Sequence, residues 1–350
     1  MVNLASGLLA QGRQVDFVLV RAEGEFMADV PPGARVIDLQ ARRAMAALPA
    51  LMRYLRAERP EVLLAALDHA NVIAVWAKFL SRVPTCVVVS VHAPLSWTHG
   101  RASTVFGKVF RQLIQRTYPR AGAVVAVSEG VRRDLIQHFG LKAHKVHTIH
   151  NPIIHPRLRE MGREDISHPW FGPQQAPVIL AVGRLSVEKD YPTLIRAFYL
   201  LRQKRSARLL ILGEGSERAG LQVLVAELGL GQDVELAGFA ANPYAFMRQS
   251  AAYVLSSTFE GFGNVIVEAL ALGCRVVCTD CPTGPTEILL GGEFGRLVPV
   301  GDSVAMAEAL LQAVEEGALP QPQSLDRHLQ QFEIPDVTAK YLHLFADMTA

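Results

Sequence analysis

The chain has 350 residues, half of them hydrophobic and 19% charged, with a net charge of +2. That composition excludes a disordered chain, and so small a net charge gives no argument for nucleic acid. At roughly 150 residues per domain the length accommodates two domains, each able to bury its own core.

Taken from the start, Met1 to Ala10 reads as a helix with Leu4, Leu8 and Leu9 on its apolar face and Gly12 as its terminator. Apolar, β-branched runs at Val15 to Val20, Val62 to Leu67, Thr85 to Val91 and Ala123 to Val127 read as strands. Between the last two, Arg101 to Arg120 carries Arg101, Lys108, Arg111, Arg116 and Arg120 with no acid. Val105, Phe106, Val109, Phe110, Leu113 and Ile114 are interleaved at helical spacing. Two readings stay open: a basic amphipathic helix resting on an anionic membrane surface, or an ordinary helix with a solvated basic face. Asn151 to Pro177 holds Pro152, Pro156, Pro169, Pro173 and Pro177 without a clear period, and is read as the interdomain linker.

Beyond the linker, Val178 to Val182, Ala207 to Leu212, Val234 to Leu236, Ala252 to Leu255 and Arg275 to Thr279 read as further strands. All these runs are continuously apolar rather than alternating, the mark of parallel strands covered on both faces by helices. The expected fold is therefore α/β, two Rossmann-like doubly wound domains, over residues 1–160 and 161–330. Residues 331–350 hold a last helix, Ile334 to Met348, placed to pack back on the first domain.

No apolar run reaches the roughly 18 to 20 residues a bilayer span needs. The start, Met1-Val2-Asn3-Leu4, has no basic region followed by an apolar stretch, so it is not read as a signal peptide. Four cysteines make no disulfide scaffold. Cys274, Cys278 and Cys281 lie close together, but partly in a strand-like run and with no histidine at zinc-finger spacing, so they read as buried thiols rather than metal ligands. The expected compartment is the cytoplasm, with contact at the inner face of the membrane through residues 101–120.

Two loops carry chemistry. After the strand Val178 to Val182 comes Gly183-Arg184-Leu185-Ser186-Val187-Glu188-Lys189-Asp190. Doubly wound sheets bind ligands at the carboxyl ends of their strands. An Arg and a Lys there suit an anionic ligand, although a solvated surface loop has the same composition. The second loop, Glu260-Gly261-Phe262-Gly263-Asn264, leads into a helix of about Asn264 to Leu272 that stops at Gly273. The helix N-terminus offers backbone N–H groups and positive dipole to a diphosphate. Glu260 before the helix and Glu268 within it would repel phosphates, so they need another task, such as accepting hydrogen bonds from sugar hydroxyls.

The combination of Gly183-Arg184-Leu185-Ser186-x-Glu188-Lys189-Asp190, Gly213-Glu214-Gly215 and Glu260-x7-Glu268 resembles glycosyltransferase family 4. Val127-Ser128-Glu129-Gly130-Val131, Ile149-His150-Asn151-Pro152 and Gly295-Arg296-Leu297-Val298-Pro299 follow in the family's order. The resemblance implies a GT-B fold, two domains facing across a cleft, and a retaining transfer from a nucleotide diphosphate sugar held mainly by the second domain. It implies that Arg184 and Lys189 clamp the diphosphate with the amides of Asn264 and Val265, beside Gly183 and Gly263. It gives Glu260 the donor sugar, Glu268 the ribose, the loop Gly238-Phe239-Ala240 the base, and His92 a place facing the transferred sugar.

No Asp-x-Asp is present to hold a divalent metal, so no metal and no cofactor is expected. The segment Asp280 to Leu289 resembles that of bacterial transferases building surface polysaccharides and lipid-linked glycans, which points to a UDP-sugar, such as a UDP-N-acetylhexosamine, as donor. The implied acceptor is a lipid-linked saccharide or a polysaccharide. An epimerase or phosphorylase of the same fold, or a non-catalytic sugar-nucleotide-binding module, are the alternatives. Family members begin with an apolar strand and a Gly-rich loop, whereas Met1 to Ala10 here already reads as the helix that follows. The first domain is therefore expected to lack its first, central strand, which would leave open ladder groups and an apolar gap.

Overall fold

The computed structural model describes residues 1–98, 105–172, 175–317, 319–320 and 322–349. The chain divides into two units, Met1–Pro152 with Gln331–Ala350, and Ile153–Gln330.

The first unit contains α1 (Val2–Ala10), β1 (Asp16–Leu19), β2 (Arg35–Asp38), α2 (Leu48–Glu58), β3 (Val62–Ala66), α3 (Asp68–Ser81), β4 (Cys86–Val91), α4 (Leu95–Thr98), α5 (Val105–Thr117), β5 (Ala123–Ala126), α6 (Glu129–Phe139) and β6 (Val146–Thr148). The second contains α7 (Pro156–Met161), β7 (Val178–Val182), α8 (Tyr191–Arg202), β8 (Arg208–Leu212), α9 (Arg218–Glu227), β9 (Val234–Gly238), α10 (Pro243–Gln249), β10 (Ala252–Leu255), α11 (Asn264–Ala271), β11 (Val276–Thr279), α12 (Pro285–Ile288), β12 (Arg296–Val298), α13 (Ser303–Glu316) and α14 (Gln323–Gln330). The closing helix α15 (Ile334–Thr349) returns to the first unit.

Every continuous apolar run of the sequence forms a strand, and every ladder between named strands is parallel. In the second unit the order is β12-β11-β10-β7-β8-β9. Its reversal after β7, with β8 on one side and β10 on the other, makes the switch point of a doubly wound sheet. Ile179, Leu209, Ile211 and Val254 of the central strands pack with Leu194, Phe198 and Leu310 of α8 and α13 into one core.

In the first unit β3-β4-β5-β6 form one sheet and β1-β2 a separate pair. Both pieces share a core: Val18 of β1 and Leu63 of β3 pack on Leu51, Leu55, Ile73 and Ala77 of α2 and α3. On the other face Leu4 of α1 and Val337, Tyr341 and Leu344 of α15 cover Val88 and Val125. The α1 contact is close. A Cβ at Gly7 would lie 2.0 Å from Oγ1 of Thr338. Leu4, Ala5 and Gly7 are the buried residues of α1, and Leu8, partly buried, packs against the same core, so Leu4 and Leu8 of the expected apolar face take part in the packing.

Three strands not read from the sequence, β2, β6 and β12, are present, and α7 falls inside the proline-rich stretch 151–177. In the basic segment 101–120, α5 covers Val105–Thr117, while 101–104 lie outside the described residues. Arg111 of α5 donates to the His138 carbonyl at 3.1 Å and lies over the Phe139 ring at 5.2 Å, so it fastens the end of α6. Lys108, Val109 and Arg116 are exposed. No helix among the described residues is long and apolar enough to cross a membrane.

Candidate active site

The chemistry-bearing loops of the second unit lie at the carboxyl ends of β7, β8 and β10. After β7 the chain passes Gly183 and Arg184, makes a 3-10 turn at Val187–Lys189, and enters α8. Asp190 caps α8 by accepting from the Thr193 N–H at 3.4 Å, and Pro192 sits in the first turn, where its missing N–H has no consequence. The Gly213-Glu214-Gly215 loop after β8 seats the same segment: the Leu185 N–H donates to the Glu214 carbonyl at 2.9 Å. A Cβ at Gly213 would stand 1.9 Å from the Gly183 carbonyl oxygen, so only glycine lets the two loops touch.

Lys189 and Glu260 meet. The Lys189 ammonium donates to Oε1 of Glu260 at 2.5 Å, with the two side chains 19% and 13% exposed. The Ser257 hydroxyl donates to the same oxygen at 2.7 Å. Two further bonds tie the two loops, Ser256 Oγ to the Lys189 carbonyl at 2.6 Å and the Thr258 N–H to the Glu188 carbonyl at 2.8 Å, while the Thr283 hydroxyl holds the Glu260 carbonyl from the segment after β11. Partial burial opposes charge on Glu188, but the Ser186 hydroxyl, a backbone amide and the Arg184 and Lys189 charges outweigh it and hold its carboxyl below the ordinary value. Arg184 itself is exposed on the same loop.

Gly263 stands before α11 with φ 94°, a conformation that favours glycine, and its carbonyl accepts from the Ile266 N–H at 2.9 Å. Helix geometry places the first-turn amides, those of Asn264 and Val265 among them, at the positive end of the helix. Glu268 sits one turn further on and is half-buried. Burial pushes its carboxyl up to about 7, against the hydrogen bond that the Tyr244 hydroxyl donates to Oε1 at 3.4 Å. At the end of β9, Gly238 (φ 83°) is followed by Phe239, 77% exposed, and by half-buried Ala240.

His92 belongs to the first unit and follows β4. Its Nε2 lies 3.1 Å from the Ser90 hydroxyl, and burial brings its pKa down to about 4, so the ring is neutral near pH 7. In the same unit the Ser128 hydroxyl caps α6 by accepting from the Val131 N–H at 3.1 Å, and Glu129 accepts from Thr148 at 2.8 Å and pairs with Arg132 at 3.0 Å. Those two members of the Ser128-Glu129 motif thus have structural work within the unit.

Gly183, Lys189 and Glu260 are brought together, and Gly263, Asn264, Val265 and Glu268 share α11 and its cap. Sequence reasoning missed the tyrosines. Tyr191 donates to the Gly183 carbonyl at 3.1 Å and Tyr244 holds Glu268. Neither occurs in a repeating pattern, and only proximity in space identifies them. Cys274, Cys278 and Cys281 are buried thiols, with burial pushing Cys274 and Cys281 up to about 12.

Residues 162–329 match the family model for glycosyl transferases group 1, and residues 1–155 that for Glycosyltransferase Family 4. The chain is 34% identical over 254 residues to the N-acetylgalactosamine-N,N'-diacetylbacillosaminyl-diphospho-undecaprenol 4-alpha-N-acetylgalactosaminyltransferase of Campylobacter jejuni, covering 72% of this chain and 67% of that protein. It is 34% identical over 177 residues to the lipopolysaccharide core biosynthesis glycosyltransferase LpsE of Rhizobium meliloti, covering 50% of this chain and 51% of that protein. Some of the curated relatives it matches are therefore spanned over only about half their length. Among solved structures, Anabaena Alr3699/HepE in complex with UDP superposes with a TM-score of 0.78 at 21% identity, over 99% of this chain and 96% of that one. The lipopolysaccharide outer core galactosyltransferase WaaB, in its apo form, does so with 0.73 at 19% identity, over 99% and 94%.

Proposed function

The chain belongs to glycosyltransferase family 4 and has the GT-B fold, and on that premise we propose that it transfers a sugar from a nucleotide diphosphate donor to an acceptor hydroxyl with retention of configuration. The observation that carries this reading is the Lys189–Glu260 pair, 2.5 Å apart, on loops tied to one another at the carboxyl end of the sheet. A cation and a carboxylate held in one place serve a donor whose reacting bond joins a phosphate to a sugar. Lys189, Arg184 and the amides of Asn264 and Val265 stabilise the charge that grows on the diphosphate as it leaves. Glu260 accepts from hydroxyls of the departing sugar, Glu268 from the ribose, and the backbone at Ala240 meets the base.

In the proposed step the bond from the anomeric carbon to the diphosphate oxygen breaks and a bond to the acceptor oxygen forms on the same face. The acceptor proton passes to the leaving phosphate oxygen, so no protein nucleophile is required. His92 is assigned to the reaction as a neutral group. Fixed protein cations take the part of a divalent metal, in keeping with the lack of an Asp-x-Asp sequence.

The donor is proposed to be a UDP-sugar, with N-acetylhexosamine the first choice because of the name of the C. jejuni relative. The UDP in the HepE structure supports the base. The acceptor is proposed to be a saccharide on a polyprenyl diphosphate or a growing polysaccharide, and residues 101–120 to contact the membrane that carries it. The test is a panel of UDP-, GDP- and ADP-sugars, each with and without a polyprenyl-diphosphate-linked saccharide, in excess EDTA, with products read by mass spectrometry. Acceptor extended by one sugar together with free nucleoside diphosphate is the expected result. Epimerised donor, sugar phosphate from added phosphate, or binding without turnover would replace this reading with an epimerase, a phosphorylase or a binding module. Loss of transfer in EDTA, restored by magnesium or manganese, would overturn the metal-free assignment.

A further inference from the structure

Glu268 is the only acid on α11, and its neighbours Ile266, Val267, Ala269 and Leu270 are apolar and fully buried. A carboxylate in such surroundings needs a donor to hold its charge and its direction. The hydroxyl of Tyr244 supplies one, at 3.4 Å from Oε1. Tyr244 is itself fixed. It occupies the first turn of α10, where Asn242 caps the helix by accepting from the Tyr244 N–H at 3.1 Å. The Asn242 side-chain amide donates in turn to the Met161 carbonyl at 2.9 Å and to Glu164 at 2.7 Å, which anchors the start of α10 to the end of α7. The His155 ring packs edge-on against Tyr244, with centroids 5.9 Å apart. A cap, one bond to the end of α7, one to Glu164 just beyond it and a ring contact thus lock one phenol onto one carboxylate oxygen.

We propose that Tyr244 is the positioning residue of the nucleotide site: by engaging Oε1 of Glu268 it turns the other oxygen toward the ribose hydroxyls. This rests on the reading of Glu268 as the ribose acceptor. Burial raises the Glu268 carboxyl and the Tyr244 bond lowers it. The sign follows: without the phenol, Glu268 holds its proton to higher pH, and a protonated carboxyl is a poorer acceptor for two hydroxyls. The other titratable groups nearby are Tyr253 of β10, whose own proton Glu268 helps to retain, and His155, whose burial keeps its ring neutral near pH 7. Neither supplies a charge that could replace the phenol.

The test is Tyr244→Phe, which keeps the ring contact and removes only the hydroxyl, beside Glu268→Gln, both assayed for donor KM and kcat from pH 5.5 to 8.5. Melting temperatures establish that each variant is folded. Tyr244→Phe is expected to raise donor KM about three- to tenfold at pH 7, with kcat within twofold, and to move the acidic limb of kcat/KM to higher pH. Glu268→Gln is expected to raise donor KM and to lose that limb. If Glu268→Gln behaves so and Tyr244→Phe leaves both KM and limb in place, the positioning role is wrong while the ribose assignment stands. If Glu268→Gln leaves KM and limb unchanged, the ribose assignment itself fails. If Tyr244→Phe lowers kcat and leaves KM alone, Tyr244 acts on the chemical step and the proposal is likewise overturned.

Discussion

Glu260 and Glu268 are eight positions apart and chemically identical, yet their surroundings are opposites. Glu260 lies in a loop, paired with the Lys189 ammonium and the Ser257 hydroxyl, polar partners drawn from neighbouring loops. Glu268 lies inside a helix among apolar residues, with one phenol as its donor and a carboxyl pushed up to about 7. Position on the backbone produces the difference. A loop at the carboxyl end of a parallel sheet gathers side chains from neighbouring crossovers, whereas a helix residue sees what packs on its own face. The contrast suggests a division of labour. In the proposed function the Lys189–Glu260 pair serves the part of the donor whose charge changes during reaction, and the Glu268 carboxylate a part that does not change.

The largest effect should come from breaking the charged side of this comparison. Lys189→Ala removes one charge-assisted contact of several from the leaving diphosphate, a loss of about 1.5–3 kcal/mol or roughly tenfold to a hundredfold in kcat. An effect confined to donor KM would show that Lys189 only binds. A smaller effect is expected on the buried side. Glu268→Ala should raise donor KM more than it lowers kcat, because ribose contacts are nearly equal in ground and transition states. An unchanged KM would end the ribose assignment.

The subtlest expectation concerns stability. The folded-state carboxyl of Glu268 titrates near 7 against an ordinary value of 4.5. Between those values the native state holds more protons than the unfolded chain, so this group makes stability fall as pH rises from about 4.5 to 7. Glu268→Gln removes that slope. The variant should gain melting temperature over the native protein at pH 8 compared with pH 5, and a constant difference across that range would show the carboxyl is not raised.

How far the sequence reaches depends on where a strand sits. Central strands such as β4, β7 and β10 are apolar on both faces and stand out as continuous runs. The strands missed, β2, β6 and β12, lie at sheet edges. Their sequences Arg35-Val36-Ile37-Asp38, Val146-His147-Thr148 and Arg296-Leu297-Val298 are short and partly polar, since an edge strand is covered on fewer sides. The site shows the same divide. Glycines and charges at fixed spacing point to Gly183, Lys189, Glu260 and Glu268. Tyr191 and Tyr244 act through contacts across 8 and 24 positions, which no local pattern encodes.

The most direct test of the account is the configuration of the new bond. With an α-configured UDP-sugar donor and a polyprenyl-diphosphate-linked saccharide acceptor, the anomeric proton of the added sugar is read by NMR before any further reaction. A small coupling of an α-linkage, formed together with UDP, is the predicted result for a gluco- or galacto-configured sugar. A β-linkage would contradict it, because same-face departure and attack cannot invert the anomeric carbon.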